Sequence, residues 1–307
     1  MSSRLVSRPC PVCGATRHTK FFAKGSLAVV RCDTCSMIFA NPIEEQFITG
    51  DFYDQLANPF YLSPDKLQSD YAPVRFEREL KLFRRFCSAG AVLDVGCSTG
   101  AFLFQLKHRF GDQYQTLGID VSGPALNYAE QRGVPILKEP FLTVDFAGRR
   151  FSAVTFWAVM EHLASPKDFL ARTSTLLEPG GVCFILVPNF RSLAVRLLGP
   201  KYRYIFPQHV NYFRGRTLKQ LVANFPEFQI VHVGSTHFNP LVILQDWRKP
   251  RDFVPDEERA KLLKRTTAYK QNPAMKPIKF AITQFEKALG ALTLADNLTM
   301  VLRKLPK

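Results

Sequence analysis

The sequence predicts an α/β fold with a mostly parallel sheet, fronted by a small metal-stapled module, and three observations predict it. From residue 91 to about 235, short apolar runs alternate with helical patterns, as in successive βα units. The stretch VLDVGCSTGAF, residues 92–102, reads as a buried strand ending in an acid, then a glycine turn that opens a helix. Ahead of it, Cys10-Pro-Val-Cys13 and Cys32-Asp-Thr-Cys35 are separated by eighteen residues.

At 307 residues, 46% apolar and 22% charged, the chain has an ordinary globular composition and room for one large domain with attachments. No run approaches the length of a membrane span, and the N-terminal MSSRLVSRPCPVCG lacks the apolar core of a signal peptide. The expectation is a cytoplasmic protein that is not transmembrane. A net charge of +15 points to a partner of opposite sign: a phosphorylated or otherwise anionic acceptor, an anionic membrane surface bound peripherally, or nucleic acid. A solvated basic face without specific meaning accounts for it equally.

Residues 1–45 read as a zinc-ribbon-like module. Each C-x-x-C pair forms a knuckle presenting two thiolates, so Cys10, Cys13, Cys32 and Cys35 complete a tetrahedral site. Between the pairs, FFAKGSLAVVRC has the apolar, β-branched look of two strands. About forty residues bury too little surface to fold alone, so zinc supplies the folding energy, and a closed four-cysteine site is structural. Disulfides do not suit a cytoplasmic chain. The other cysteines, Cys87, Cys97 and Cys183, stand singly in apolar surroundings.

Residues 46–89 are rich in aromatics, and RFERELKLFRRF places Phe76, Leu80, Phe83 and Phe86 at helical spacing. The segment reads as a helical linker packing on the next domain, or as a lid over a substrate cleft. The two readings are compatible.

In the domain from residue 90 to 307, the candidate strands are 92–96, 115–121, 135–138, 151–158, 182–187 and 228–234. Helices are expected from Ala101 to about Gly111, over PALNYAEQRG, and after Ser165, an N-cap with Pro166 at the first turn and Asp168 closing a capping box. Ligands of such sheets bind at the carboxyl ends of the strands. There stand Asp94, Gly96, Cys97, Ser98 and Gly100 after the first strand, and Asp120 and Val121 after the second. A dinucleotide site carries a third glycine and holds a pyrophosphate, which Asp94 would repel. An ammonium group suits Asp94, a carboxylate the turn amides, and ribose hydroxyls Asp120; S-adenosylmethionine carries all three.

At these residues the chain resembles the class I S-adenosylmethionine-dependent methyltransferases, more narrowly a branch found in bacterial polysaccharide and secondary-metabolite clusters. The resemblance runs from residue 8 to about 235 through CPVCG…RCDTCSMIFANP, VLDVGCSTGAFL, LGIDVS, FWAVMEHLASP, LLEPGGVCFILVPN and FPQHVNYF. It implies a Rossmann-like, seven-stranded sheet whose reversed last strand, at 296–304, inserts beside the sixth. Residues 236–295 are then a mainly helical insertion. Three positions depart from the family pattern: Ser98 for the middle glycine, Ser152 for an Asp in the fourth strand, and Glu139-Pro140 for Gly-Asp after the third. The last puts Glu139 at the adenine-binding position. Ser98 needs no strained backbone if its φ is negative and offers a hydroxyl that can donate to the cofactor, so it is expected to tune the pocket rather than close it.

Methyl transfer from a sulfonium is an in-line displacement, so the protein aligns two groups and removes the acceptor's proton. At the strand ends stand Trp157, expected against the cofactor, Glu161 and His162, and then His209 on a loop flanked by aromatics. His209 is the expected general base, with His162 and Glu161 beside it; a bond within its own turn is the plain alternative for His162. The trio also resembles part of the divalent-metal site of small-RNA 2′-O-methyltransferases, with Ala158 where a further glutamate stands there. The expected reaction is O-methylation of a sugar, a lipid-linked glycan or a related small metabolite. The rivals are an RNA methyltransferase, although no RNA-binding module is recognisable, and a non-catalytic scaffold with a decayed cofactor site. Residues 240–307 carry 14 Lys/Arg against 7 Asp/Glu, a solvated face or a patch for an anionic acceptor.

Overall fold

A computed structural model describes residues 4–248 and 253–306. Five short strands come first: β1 (Leu5–Val6), β2 (His18–Lys24), β3 (Leu27–Cys32), β4 (Ile38–Ala40) and β5 (Ile43–Glu44). β1 pairs with β5, and β2, β3 and β4 form an antiparallel meander. The chain continues through short helices in residues 46–71 to the amphipathic helix Glu77–Phe86.

The βα alternation then lays down β6 (Gly90–Val95), β7 (Tyr114–Ile119), β8 (Ile136–Leu137), β9 (Phe151–Trp157) and β10 (Leu177–Pro188). They are followed by β11 (Asn211–Tyr212), β12 (Phe228–Thr236) and β13 (Asn297–Lys304). Seven of these form one sheet in the order β12-β13-β10-β9-β6-β7-β8. β13 runs antiparallel to both neighbours, the reversed last strand that the resemblance implies. Parallel strands covered on both faces must be apolar nearly throughout. Leu93, Val95, Phe156 and Ile185 accordingly belong to one core layer, and Val92, Ala153 and Phe184 to the other. Onto the second layer the helix Glu77–Phe86 lays Phe83, fully buried, its ring centroid 4.9 Å from that of Phe184. Such a burial contributes about 2–3 kcal/mol. The strand order reverses between β6 and β9, and the crevice above such a reversal is where these sheets take ligands.

One local expectation fails. The helix Pro166–Leu176 starts where predicted, but the Ser165 side chain makes no capping bond, and Asp168 closes no capping box. Ser165 sits at φ −126°, ψ 69°, outside the extended geometry from which a cap hydroxyl reaches the first turn.

Between β12 and β13 the insertion forms the helices Pro240–Arg248, Asp256–Gln271 and Lys276–Ala291. Residues 249–252, part of the basic stretch DWRKPRDF, lie outside the described residues. Among the described residues, no helix is long and apolar enough to cross a membrane.

The N-terminal strands do not stand apart. β11 pairs antiparallel with β4, so the small sheet runs β11-β4-β3-β2 and takes its edge strand from the loop that follows His209. Met37 and Phe39, both fully buried, share a core cluster with Phe213, Leu218 and Leu221 and with one face of the large sheet.

Candidate active site

The cysteine site forms as the spacing predicts. The Cys10 and Cys35 sulfurs lie 3.5 Å apart, as do those of Cys13 and Cys32, and all four fall within 4.8 Å of one another. Thiolates about 2.3 Å from a zinc ion sit about 3.8 Å from each other in a tetrahedron, so the four residues fit the ion. Burial pushes the Cys10 thiol up to about 11 and the Cys35 thiol higher. A cation among the sulfurs reverses that preference and draws out the thiolates.

The turn after β6 is built from left-handed residues: Gly96, Ser98 and Gly100 have φ of +74°, +49° and +74°. Such alternation aims successive N–H groups into one concavity. A Cβ at Gly96 would come 2.5 Å from Val159 Cγ2, and one at Gly100 3.0 Å from Ala129 Cβ. Ser98 does not meet the condition of a negative φ. The family's glycine is here a conformational requirement, and serine meets it at a cost of about 1–2 kcal/mol. Its Oγ is buried without a hydrogen-bond partner.

Asp94, 3% exposed, accepts a hydrogen bond from Thr155 Oγ1 at 2.6 Å. Burial, against that bond and helped by the nearby Asp120, lifts its carboxyl to about 7. Asp120 accepts from the N–H groups of Ser98 (2.8 Å) and Ser122 (2.9 Å), tying the turn to the end of β7. The Cys97 side chain is buried beneath Gly118, where an added Cβ would meet Sγ at 2.7 Å. Val121 is exposed at its surface and lies against Gly50. Trp157 packs on Phe102 and Phe184 with its Nε1 buried and unpartnered. Glu139 is exposed in the loop after edge strand β8, at the carboxyl end of the sheet. Ser152 lies at the opposite end of β9, bonded to Glu178 Oε2 at 2.9 Å, so that departure says nothing about the cofactor.

At the neighbouring strand ends, Glu161, His162 and His209 each offer a ligand atom within 4.8 Å of the others. His209 is buried, not on the open rim that its loop position suggested. His162 bonds outside its own turn: its Nδ1 lies 2.8 Å from the Gln208 carbonyl and 2.9 Å from Tyr53 Oη. His209 Nδ1 lies 2.9 Å from the Tyr204 carbonyl. A carbonyl only accepts, so each Nδ1 carries the hydrogen and each Nε2 keeps its lone pair. Burial lowers His162 to about 4 and also holds His209 well below the usual imidazole range, the latter helped by His162 and Arg259. Burial also lifts Glu161, neither of whose oxygens has a partner, to about 8. Near neutral pH the cluster is uncharged for the most part.

Several residues at the site carry no signal in the sequence. Asp54 Oδ1 accepts from Gly123 N–H at 2.8 Å, and Tyr71 Oη donates to the Thr99 carbonyl, so segment 46–71 closes over the turn. Arg8 donates to the carbonyls of Ala40, Ala164 and Val210 and to Asn211 Oδ1, fastening the cysteine module to both loops of the rim. A lone arginine or aspartate in a loop obeys no periodicity that would single it out.

The unpartnered Ser98 Oγ, the N–H concavity and the two acids fit a ligand bearing an ammonium, a carboxylate and ribose hydroxyls. Residues 70–233 match the family model described as a methyltransferase domain. The ubiquinone biosynthesis O-methyltransferase of Chromobacterium violaceum is 31% identical over 165 residues, 50% of this chain and 68% of that protein. Its namesake from Burkholderia multivorans is 33% identical over 162 residues, 48% and 68% of the two chains. The plantazolicin methyltransferase BamL, solved with a triazolic desmethylPZN analog and SAH, is alike in fold: TM-score 0.50 at 16% identity, covering 81% of this chain and 94% of that one. The matched span holds the turn, both acids and the histidine rim, and the chain belongs to the methyltransferase-domain family as an S-adenosylmethionine-dependent methyltransferase.

Proposed function

We propose that the chain methylates an oxygen of a sugar or related small metabolite, with Glu161, His162 and His209 serving the acceptor. One observation carries the reading: a carboxyl group and two imidazoles of fixed tautomer converge within 4.8 Å, on loops joined to the turn through the packing of Val159 on Gly96. S-adenosylmethionine supplies the electrophilic methyl group when bound. Asp94 and the turn amides hold its amino-acid end, and Asp120 its ribose. His209, neutral and shielded, accepts the hydroxyl proton at Nε2, while the Tyr204 carbonyl steadies the resulting imidazolium through Nδ1–H. Oxygen as the acceptor atom draws on the curated relatives, both named O-methyltransferases. A small acceptor is favoured by the roof: the Arg259 guanidinium lies 4.5 Å from the ring centroids of Phe60 in the lid and Phe206 beside His209.

The test is methyl transfer to sugars and sugar nucleotides against transfer to RNA, repeated with His209→Ala. Turnover on a sugar hydroxyl that falls by about a hundredfold or more in the variant, at unchanged cofactor affinity, supports the reading. Transfer to RNA alone, or full turnover in the variant, overturns it.

The same geometry favours a second reading. Two imidazoles and a carboxyl group without a hydrogen-bond partner, each offering a ligand atom within 4.8 Å of the others, make a donor set that suits a divalent cation once the carboxyl is ionised. The trio would then hold a cation, which would supply acidification of the acceptor hydroxyl. Turnover abolished by a chelator with zinc still in place, and restored by magnesium or manganese, decides for it.

A further inference from the structure

We infer that the corner formed by the helices Leu193–Leu198, Pro240–Arg248 and Lys276–Ala291 is a docking surface for an anionic lipid bilayer. The three segments are neighbours. Ala194 and Leu198 share a buried cluster with Val242, Leu193 N–H donates to the Leu294 carbonyl at 2.8 Å, and the Phe238 and Phe285 rings lie 5.0 Å apart. Exposed apolar side chains are concentrated on them. Leu241, Leu244 and Trp247 recur at three-residue spacing along one helix and are 61%, 40% and 67% exposed. Leu197 (62%), Phe285 (48%) and Leu292 (63%) continue the surface on the other two segments. Single exposed apolar residues are ordinary, but a concentration of them on adjoining segments marks a contact surface.

Charge selects the partner. In residues 189–201, 237–248 and 273–296 every acid is turned inward: Asp246 is buried on Arg203 at 2.6 Å, Glu286 is buried with Arg78, and Asp296 is half-buried. The cations face out, with Arg196, Lys201, Arg248, Lys276 and Lys287 all exposed. Apolar residues that include an exposed tryptophan, on segments whose exposed charges among the described residues are all cations, match the interface of a bilayer containing acidic lipids. A two-fold contact with a second copy brings those cations against each other. A nucleic acid stacks its bases on aromatic rings but offers Leu197, Leu241, Leu244 and Leu292 nothing. The segments leave the carboxyl ends of β10 and β12, the end of the sheet that carries the cofactor turn, so docking turns the acceptor side toward the lipid surface.

The experiment is co-sedimentation of the full, zinc-loaded chain with phosphatidylcholine vesicles, with and without phosphatidylglycerol, alongside the double variant Leu244→Glu/Trp247→Glu. Both side chains are exposed, so the variant keeps its fold, which its near-ultraviolet circular dichroism and cofactor affinity check. Binding to the phosphatidylglycerol vesicles, absent with phosphatidylcholine alone and weakened at least about tenfold in the variant, is expected. No binding to either vesicle, equal binding by the variant, or a solution dimer that the variant dissociates overturns the inference.

Discussion

The Arg8 guanidinium donates to Asn211 Oδ1 at 2.9 Å, joining a residue just before the first metal-site cysteine to one just after His209. Asn211 in turn donates through Nδ2 to the carbonyls of Met160 (2.9 Å) and Leu163 (2.7 Å), on either side of Glu161 and His162. One arginine thus sets the position of both loops of the rim. Replacing Arg8 by alanine strips a donor from three carbonyls and from Asn211. The expected loss of stability is about 3 kcal/mol or more. Turnover should fall by at least about tenfold through misplacement, with cofactor affinity nearly unchanged. Thermal unfolding, turnover and cofactor calorimetry on the one variant separate these effects.

Asp94 makes cofactor binding depend on pH. Its carboxyl is raised from 3.8 to about 7, and the cofactor's ammonium pairs only with the ionised form. Affinity should therefore rise as pH climbs through about 7 and weaken below it. In the free protein the sign is reversed: a raised acid favours folding while protonated, an advantage present below about 4 and lost as pH rises through about 7. Asp94→Asn should weaken binding and flatten both profiles, measured by calorimetry and unfolding across pH 5–9.

Ser98 carries strain and an idle hydroxyl together, and two substitutions separate them. Ser98→Gly should stabilise the free protein by about 1 kcal/mol, less the flexibility that glycine adds to the unfolded chain. Ser98→Ala keeps the backbone strain and removes only Oγ. Weaker cofactor binding in both variants assigns the hydroxyl a bond to the cofactor; unchanged binding in both leaves it a spectator.

Metal analysis should find about one zinc per chain. Cys13 is exposed, so Cys13→Ser breaks the site with little steric disturbance. The variant should lose zinc and turnover together, since β4 carries the edge strand beside His209. A folded, fully active variant without zinc counts against the structural role.

The strands, the glycine turn, the two acids and the cysteine quartet were legible because each rests on a local pattern: alternation, a fixed turn, a ligand spacing. Burial of His209 was not, because its loop looks exposed until Phe206, Tyr204 and the lid close around it. The φ of Ser98 escaped for a related reason. Its backbone is dictated by bonding between Asp120 and the turn, a contact across 22 residues that the quoted motif does not contain. Arg8 and Asp54 side chains act through such distant partners, and Arg259, although paired with the nearby Asp256, reaches Phe60 and Phe206 the same way. Ser152 misled in the other direction, a motif departure located away from the site.

β11 has two residues, too few to persist without β4 beside it. During synthesis the cysteine quartet is complete once residue 35 has emerged, long before residue 211 is made. The ligand set is thus available well before the loop that brings His209 into place, and that loop then completes the core around Met37 and Phe39. A chain made under zinc starvation is then expected to lack the support that β4 gives to the loop beside His209.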